Sequence, residues 1–311
     1  MSCGAGTSRP RSGSSDRLAL NNHPYLLLTL AVLFWAGNFI LGRAFHTDIP
    51  PVALAFWRWL CASLLISLPA WRHLCRDWPV LRRSWRPVLL LSALGIASFN
   101  TLAYTGLQYT QAINGFLMQS LMPVLIVFFS FVIFGERIRP LQALGILVSL
   151  GGAVTIIARG DLAVLTGLQI NRGDLFVAAA VLCYAGYSVL LRRRPPVHAF
   201  SFIAVTFWLG TAMILPFYLW ETLQVRVLHP QPVTFLVIGY VAIFPSVVSY
   251  LCYNRGVALI GANRAGLFIH LMPVFGTLMA LVFLGESLSR YHAVGIVLIA
   301  AGICLAVRGR Q

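Results

Sequence analysis

Ten apolar runs, each long enough to cross a lipid bilayer, constrain this chain more than any other feature. A helix needs roughly 20 apolar residues to span the hydrocarbon core. Strands are not expected, because the runs are long and lack period-two alternation, and because helices satisfy every backbone polar group in lipid. The sequence therefore predicts an all-α membrane protein with ten transmembrane helices, at residues 24–45, 51–70, 87–107, 112–134, 140–158, 174–191, 198–220, 233–256, 263–284 and 291–308.

The composition agrees with a chain that spends most of its length in lipid. Hydrophobic residues make up 59% of it and charged residues 10%, whereas soluble domains carry about 25% charged residues. After ten helices only short loops and tails remain, which leaves no room for a separate soluble catalytic domain. Residues 1–22 are rich in Ser, Gly and Arg, and we expect them to form a disordered cytoplasmic tail.

The charge distribution predicts the orientation. All 23 basic residues are arginine, and the formal net charge is +15. A basic chain can bind nucleic acid, but these arginines lie mostly between apolar runs, so no nucleic-acid partner is expected. Most of them fall on one side if the helices alternate, and basic loops stay in the cytoplasm. This bias predicts a multi-pass protein of the plasma (inner) membrane with both termini cytoplasmic.

An internal repeat divides the chain into two halves. Residues 99–153 align without a gap to 249–303, so that the LMPV ending at Val124 falls on the LMPV ending at Val274. Upstream, WAGNFILGR (35–43) matches YAGYSVLLR (184–192), and downstream FGERI (134–138) matches LGESL (284–288).

The repeat predicts two five-helix units, at residues 23–159 and 172–308. Five is an odd number, so the second unit enters the membrane from the opposite face. Inverted repeats of this kind are typical of secondary transporters.

At these residues the sequence resembles the EamA family of the drug/metabolite transporter superfamily. The features that carry the resemblance are WAGNFILGR in helix 1, Phe56-Trp57-Arg58 in helix 2, and the doubled LMPV…GE pattern. It covers residues 24–308. The resemblance implies a ten-helix carrier, commonly an exporter of amino acids or other small metabolites, with a cavity lined by helices 1, 3, 4, 6, 8 and 9.

The sequence offers no catalytic or metal-binding motif. No two carboxylates lie close enough for a DxxD site, no two histidines form HxxxH, and a phosphate-binding loop would need a lysine, which the chain lacks. The six cysteines have no metal-ligand spacing. We therefore expect no enzyme activity, no metal and no cofactor.

Paired prolines point to a binding site in helices 4 and 9. Pro123 and Pro273 fall mid-helix at equivalent positions, where each removes a backbone hydrogen bond. Helices broken at matching places mark the cavity of inverted-repeat carriers, although a proline that only kinks a helix for packing is the alternative. The candidate binding residues beside the prolines are Asn114, Met118, Gln119 and His270.

Other candidates share helix faces in both halves. Asn100 and Tyr104 in helix 3 correspond to Tyr250 and Asn254 in helix 8, with the residue types exchanged. In helices 1 and 6, Trp35 and Asn38 correspond to Tyr184 and Tyr187. Polar groups in bilayer helices face the protein interior or a wet cavity, so we include Trp35, Asn38, Asn100, Tyr104, Tyr184, Tyr187 and Tyr250 as substrate-binding candidates. The alternatives are interhelical hydrogen bonding and aromatic packing.

Arg58 is the most informative charge. It lies about 10 Å into helix 2 at 1.5 Å per residue, a depth at which a charge is costly and is a functional candidate by default. It either attracts an anionic group or bonds helix carbonyls as a structural residue. Glu136 and Glu286 follow glycines at helix ends, where a structural role as a helix cap or arginine partner is expected.

These features predict a secondary transporter that exports a small polar or zwitterionic metabolite by alternating access. The alternatives are a passive channel or facilitator, and a non-transporting scaffold. The partners are a small-molecule substrate and the lipid bilayer. Coupling, if any, would use the proton gradient, with His270 as the group that titrates near neutral pH; the alternative for His270 is a hydrogen-bonded interior residue. The sequence leaves the substrate, the transport direction, the coupling ion and the oligomeric state open.

Overall fold

Ten long helices form a single bundle in the computed structural model. The structure describes residues 23–110, 112–161, 163–167, 171–284 and 289–308, and within these ranges the chain contains no strand. The predicted tail at residues 1–22 and Glu286 lie outside the described residues. The helices are α1 Pro24–Ala44, α2 Pro51–Arg83, α3 Trp85–Leu107, α4 112–134, α5 Pro140–Ile157, α6 Arg172–Leu190, α7 Ala199–Gln224, α8 Pro232–Ile260, α9 262–284 and α10 Arg290–Arg308.

The predicted fold class is confirmed. Nine of the helices in the described ranges are long and apolar enough to cross a membrane as single elements. The tenth, α9, is divided by a 3₁₀ turn at Phe268–Leu271. The chain is therefore an integral, multi-pass membrane protein built from two inverted five-helix repeats.

Side-chain contacts define the two ends of the bundle. At one end, here called the arginine end, Arg192 pairs with Glu136 at 2.8 Å and the His198 backbone N–H donates to Asp77. At the other, here called the Glu221 end, the Glu221 carboxylate accepts hydrogen bonds from the backbone N–H groups at the start of α2.

Glycines allow α5 and α10 to pack with their backbones in contact. A Cβ atom on Gly145 would lie 2.5 Å from the Gly302 carbonyl oxygen, and one on Gly152 would lie 2.7 Å from that of Gly295. These pairings run in opposite directions along the two helices, so α5 and α10 are antiparallel. Small residues at four-residue spacing permit such close approach. In this chain the small residues of α5 contact α10, so they join the first repeat to the second.

Both repeats interrupt their third helix at the same place. Ala93–Ser98 in α3 and Ile243–Val248 in α8 are π-helical, and the two segments are equivalent in the repeat alignment. A π turn is rare and often marks a functional site. Both segments face the centre of the bundle, where they contact the candidate residues described below.

The fourth helix of each repeat is also interrupted. In α4 the helix ends at Ser120 and resumes at Met122, one residue before Pro123. In α9 the 3₁₀ turn ends at Leu271, two residues before Pro273. Proline cannot donate a backbone hydrogen bond and clashes with the preceding turn, which explains why the regular helix stops at both places.

The second helix is longer than the sequence indicates. The sequence predicts that it ends at residue 70, but α2 continues to Arg83 through Pro69 and Pro79. The added turns carry Trp71 and Trp78 on an exposed face. Tryptophan is enriched where a helix leaves the lipid, so the hydropathy signal ends before the helix itself does.

Candidate functional site

Arg58 lies at the centre of the bundle with 1% of its surface exposed. Its Nη1 group donates to Asn38 Oδ1 at 2.9 Å, to Asn100 Oδ1 at 2.7 Å and to the Tyr104 hydroxyl at 2.8 Å. The Tyr104 hydroxyl in turn donates to Asn38. Two helices of the first repeat, α1 and α3, therefore converge on the guanidinium group that α2 carries.

The second repeat supplies the remaining bonds to Arg58. Its Nε donates to Ser246 Oγ at 2.6 Å, and its Nη2 donates to the Pro245 carbonyl oxygen at 3.1 Å. Both residues belong to the π-helical segment of α8. The same Pro245 oxygen accepts from Trp35 Nε1 at 3.0 Å. Every hydrogen-bond partner that the structure gives Arg58 is neutral, so the charge is solvated by dipoles and not by a carboxylate.

Each of the two π-helical segments offers a backbone carbonyl oxygen to a side chain of the other repeat. Gly95 in α3 is the repeat equivalent of Pro245, and its carbonyl oxygen accepts from the Tyr250 hydroxyl. Each π turn thus turns one backbone carbonyl toward a side chain of the opposite repeat. These contacts join the halves across the centre of the bundle.

A small cavity of about 20 Å³ lies beside Arg58 at the junction of the two repeats. A space of this size holds roughly one water molecule. Nearly all of the wall is buried, so this form of the protein is closed around its centre. The wall is formed by Trp35, Asn38, Phe39, Arg58, Phe99, Asn100, Gln119, Met122, Tyr184, Tyr250, Ile269 and Met272.

Aromatic rings form one side of the cavity. The centroid of Trp35 lies 5.4 Å from that of Tyr184 and 6.2 Å from that of Tyr250, in edge-on geometry. Tyr184 and Tyr250 are 6.2 Å apart, also edge-on. The Arg58 guanidinium lies 4.8 Å from the ring centroid of Trp59. Faces of aromatic rings attract cations, and the Trp59 ring has this role toward Arg58.

Two polar atoms of the cavity wall, Asn100 Nδ2 and the Tyr184 hydroxyl, make no well-aligned hydrogen bond within the described residues, although the Tyr250 hydroxyl lies near both. The two residues are 2% and 1% exposed. A buried polar group without a partner costs about 1–3 kcal/mol, so few remain in native proteins unless a function uses them. Asn100 presents N–H donors next to the Arg58 guanidinium, where an anionic group would accept from both.

The structure brings seven of the twelve predicted binding residues to this cavity: Trp35, Asn38, Arg58, Asn100, Gln119, Tyr184 and Tyr250. Tyr104 lies behind the wall and bonds to Arg58. Tyr187 lies on the arginine-end side, where its hydroxyl donates to Asn254 Oδ1 at 3.0 Å.

The other three predicted residues lie elsewhere. Asn114 donates to both oxygens of Asp174, at 3.1 and 3.2 Å, near the start of α6. Met118 packs against the hydrophobic core.

The third of them, His270, is fully buried. Its Nε2 lies 2.9 Å from the Ser120 carbonyl oxygen and its Nδ1 lies 2.7 Å from Ser149 Oγ. Ser120 is the last residue before the break in α4, and His270 lies in the 3₁₀ turn of α9, so this hydrogen bond joins the two interruptions. Ser120 is also the repeat equivalent of His270.

A second cavity of about 510 Å³ opens at the arginine end. Arg192, Arg194, Asn254 and Ala258 lie in its wall, and we call it the vestibule. Asn254 in its wall accepts from Tyr187, whose ring contacts Tyr184 and Tyr250 of the central cavity wall. Arg192 pairs with Glu136 across its rim, which is one of the two roles that the sequence predicts for this glutamate.

Sequence reasoning missed several residues that shape the site. Pro245 and Ser246 hold Arg58, and a proline inside an apolar run was the available signal. Glu221 is 4% exposed and caps α2 from the last turn of α7. The predicted seventh helix stops at residue 220, so Glu221 falls in a loop in that prediction.

The fold and its cavity define a class of protein. Ten helices in two inverted repeats, with broken helices and a polar, aromatic cavity at their junction, are an architecture typical of membrane transporters.

The sequence places the chain within that class: it belongs to the EamA-like transporter family, which matches residues 23–158 and 171–308. The resemblance seen in the sequence is thereby confirmed.

Curated relatives have names that agree with this family. An "uncharacterized transporter" of Bacillus subtilis, YyaM, is 27% identical over 286 residues, covering 91% of this chain and 92% of the relative. An "uncharacterized transporter" of Archaeoglobus fulgidus is 27% identical over 287 residues, covering 92% and 98%. A solved crystal structure superposes with a TM-score of 0.74 at 24% identity, covering 93% of this chain and 99% of that one; this similarity supports the fold.

Proposed function

We propose that the protein is a secondary transporter that exports a small polar or zwitterionic metabolite, such as an amino acid, by alternating access. In this proposal the solute's anionic group binds Arg58 and the Asn100 amide. A cationic group, where the solute has one, lies against the rings of Trp35, Tyr184 and Tyr250. The solute acts as a passenger, and the protein is not an enzyme.

The observation that carries the proposal is the environment of Arg58. A guanidinium buried in the bundle is expensive, and its partners are all neutral. An anionic solute in the adjacent cavity supplies the missing opposite charge. Asn100 Nδ2, which makes no well-aligned hydrogen bond within the described residues, adds a donor to the same group. The two alternatives that the sequence leaves for Arg58, anion attraction and carbonyl bonding, are thus compatible, because Pro245 takes only part of its donor capacity.

The closed centre supports movement by alternating access. A cavity of about 20 Å³ is too small for an amino acid, so one end of the bundle must separate before a solute enters. The Tyr187–Asn254 bond lies toward the arginine end, and Arg58 with its partners lies toward the Glu221 end. In inverted-repeat carriers one half rocks against the other to open each end in turn.

We propose that the arginine end faces the cytoplasm and that the protein lies in the plasma (inner) membrane, with both termini cytoplasmic. Arg192, Arg194 and His198 lie at this end together with the long, arginine-bearing extension of α2. Basic residues are retained on the cytoplasmic side. An arginine-lined vestibule on that side would raise the local concentration of anionic solutes before export.

The deciding experiment measures efflux of radiolabelled amino acids, with a metabolite comparison of the growth medium, in cells with and without the protein. We expect one or a few solutes to leave faster when the protein is present. Arg58→Leu, which installs the residue that the second repeat has at this position, is expected to abolish the difference. Arg193→Gln is the matched control, since Arg193 is exposed. Equal retention across a broad panel contradicts the proposal.

Counterflow in liposomes separates a carrier from the alternatives. A carrier exchanges labelled solute against an excess of unlabelled solute on the opposite side, and the exchange saturates. A passive channel or facilitator shows no counterflow. A non-transporting scaffold predicts that Arg58→Leu and Tyr104→Ala leave every phenotype unchanged.

Proton coupling is an additional part of the proposal, with His270 as the residue to test. His270 bonds α5 and α4 from within α9, so a change in its charge would act on the interrupted helices. His270→Gln is expected to remove the dependence of efflux on the proton gradient and to leave counterflow intact. Efflux that keeps its full dependence on the gradient in this variant excludes His270 as the coupling group.

A further inference from the structure

Asn254 holds a buried hydrogen-bond donor that no group of the described chain satisfies. Its Oδ1 accepts from Tyr187 at 3.0 Å, but its Nδ2 has no partner, although the residue is 4% exposed. Asn254 also forms part of the vestibule wall. The orphan N–H₂ group is itself covered, and it belongs to a residue in the wall of a cavity of about 510 Å³ that opens at the arginine end.

Arg194 lies in the wall of the same vestibule. It is half-buried and interacts electrostatically with the Tyr187 hydroxyl, the partner of Asn254. The ion pair at this rim joins Glu136 to Arg192 and leaves Arg194 outside it. Arg255, at the end of α8, adds a further positive charge near Arg194. The vestibule thus combines an unpaired amide donor with positive charge.

The internal repeat relates Tyr187 and Asn254 to the residues that hold Arg58. Tyr187 and Asn254 stand at the positions of Asn38 and Tyr104, the pair that holds Arg58 in the first repeat. The Phe-Trp pair that precedes Arg58 recurs before Leu209, so the second repeat lacks an arginine at the equivalent place. Arg194, in the loop that follows α6, lies in the same cavity wall as Asn254 and brings a guanidinium into the neighbourhood of the second pair.

We propose that Asn254 and Arg194 form a second anion site, in the vestibule, which binds the carboxylate of the solute before it reaches Arg58. The carboxylate accepts from Asn254 Nδ2 and from the Arg194 guanidinium. The carboxylate uses the Nδ2 donor of Asn254 and leaves its Oδ1 acceptor to the Tyr187 hydroxyl. The inference rests on the proposed function for the identity of the ligand, and the test below does not require transport.

The experiment measures cysteine modification in the vestibule of the full-length protein in lipid nanodiscs. The native cysteines are replaced, and Ala258→Cys provides an exposed thiol in the vestibule wall. Acetate is the probe, and chloride at the same ionic strength is the control. The rate of reaction with an anionic methanethiosulfonate reagent is measured with each salt, and a cationic reagent reports the local charge.

We expect acetate, but not chloride, to slow modification by the anionic reagent. Arg194→Gln is expected to slow the anionic reagent and speed the cationic one by about threefold each, as one charge does over several ångström in water, so that their rate ratio falls by about tenfold, and to remove protection by acetate. Asn254→Asp, which keeps the acceptor for Tyr187 but replaces the N–H₂ group, is expected to remove protection as well.

Controls distinguish this site from the central one. Arg193→Gln, at an exposed neighbour, and Arg194→Lys, which keeps the charge, are expected to retain protection. Arg58→Leu is expected to retain protection too, even though it abolishes efflux. Equal effects of acetate and chloride, or full protection in Arg194→Gln or Asn254→Asp, would overturn the proposal and leave the function proposed for Arg58 standing.

Discussion

The Tyr187 hydroxyl donates to the Asn254 side-chain oxygen at 3.0 Å, and these residues hold the repeat positions of Asn38 and Tyr104, which share a hydrogen bond of their own. Each repeat therefore has one tyrosine–asparagine bond between its first and third helices, with the residue types exchanged. Arg58 joins the pair in the first repeat only. The two halves thus share a backbone arrangement, but the arginine bonded to this pair is present in the first half only.

This asymmetry predicts a different cost for removing each tyrosine hydroxyl. Tyr187→Phe loses one neutral hydrogen bond and is expected to cost about 1 kcal/mol of unfolding free energy. Tyr104→Phe removes both a donor to Asn38 and an acceptor of Arg58, and hydrogen bonds to charged groups are worth about 1.5–3 kcal/mol. Thermal unfolding in detergent should therefore give a lower Tm for Tyr104→Phe. A larger loss in Tyr187→Phe contradicts the assignment.

Adjacent glycines in α5 provide a matched test of the α5–α10 contact. Gly152→Ala places a methyl group 2.7 Å from the Gly295 carbonyl oxygen, whereas a methyl group on Gly151 meets no described atom within 4 Å. We expect Gly152→Ala to destabilise the protein by about 1–3 kcal/mol through overpacking. Gly151→Ala is expected to be neutral or slightly stabilising, because alanine favours helix.

Tm and the monodisperse fraction after purification measure the difference between the two glycine variants. Similar values for both would show that this seam between the repeats is looser than the described contacts indicate.

The hydrogen bonds of Glu221 lead to a prediction about the contact between α2 and α7 at the Glu221 end. Its two oxygens accept from the Val52 and Ala53 backbone N–H groups at 3.1 and 2.7 Å, and a carboxylate at a helix N-terminus also meets the positive end of the dipole. Glu221→Gln keeps one acceptor and loses the charge, at an expected cost of about 1–2 kcal/mol.

Glu136→Gln is the control for Glu221→Gln, since its exposed ion pair is worth about 0–1 kcal/mol. The expected order of Tm is wild type, then Glu136→Gln, then Glu221→Gln. The reverse order of the two variants would remove Glu221 from the contacts that hold α2 and α7 together.

A stacked pair of histidines predicts a response to pH at the arginine end. His198, the N-cap of α7, lies 3.7 Å from His73 between ring centroids. Burial and the neighbouring His73 lower the pKa of His198, against an opposing effect of Asp77. The folded state therefore favours the neutral ring. The stabilisation is full above about pH 6.5, the ordinary histidine value, and is lost as the pH falls below it.

The measurement compares Tm at about pH 7.5 and about pH 5.5, a range in which histidine changes charge. His198→Asn is the control, because asparagine is a good helix N-cap but does not titrate. We expect acidification to lower the Tm of the wild type more than that of the variant. An equal decrease in both assigns the effect to other groups.

The fold was predictable because lipid simplifies the physics. A spanning helix needs an apolar run of fixed length, so hydropathy locates ten segments, and the LMPV and GE sequences reveal the duplication. Hydropathy reports where lipid ends and not where a helix ends, which is why the added turns of α2 after Pro69 were missed. The split of α9 at Phe268–Leu271 likewise has no hydropathy signal.

The candidate site was predictable only in part. Residue type and repeat position drew attention to Arg58, Asn100 and Tyr250, since polar groups in lipid must face inward. Helix rotation decides the rest: Asn114 shares α4 with Gln119 but meets Asp174, while Gln119 reaches the cavity. The π turns also cannot be read from side-chain patterns, because they change backbone bonding without changing composition.

The size of the central cavity has a consequence for how tightly a solute is held. Since it has space for about one water molecule, a solute bound there under the proposed function displaces side chains of the wall, and part of its contact energy is spent on that displacement. The measured affinity is then weaker than the contacts alone would give. A modest affinity suits a carrier, because a solute held with the full strength of its contacts would leave too slowly on the far side.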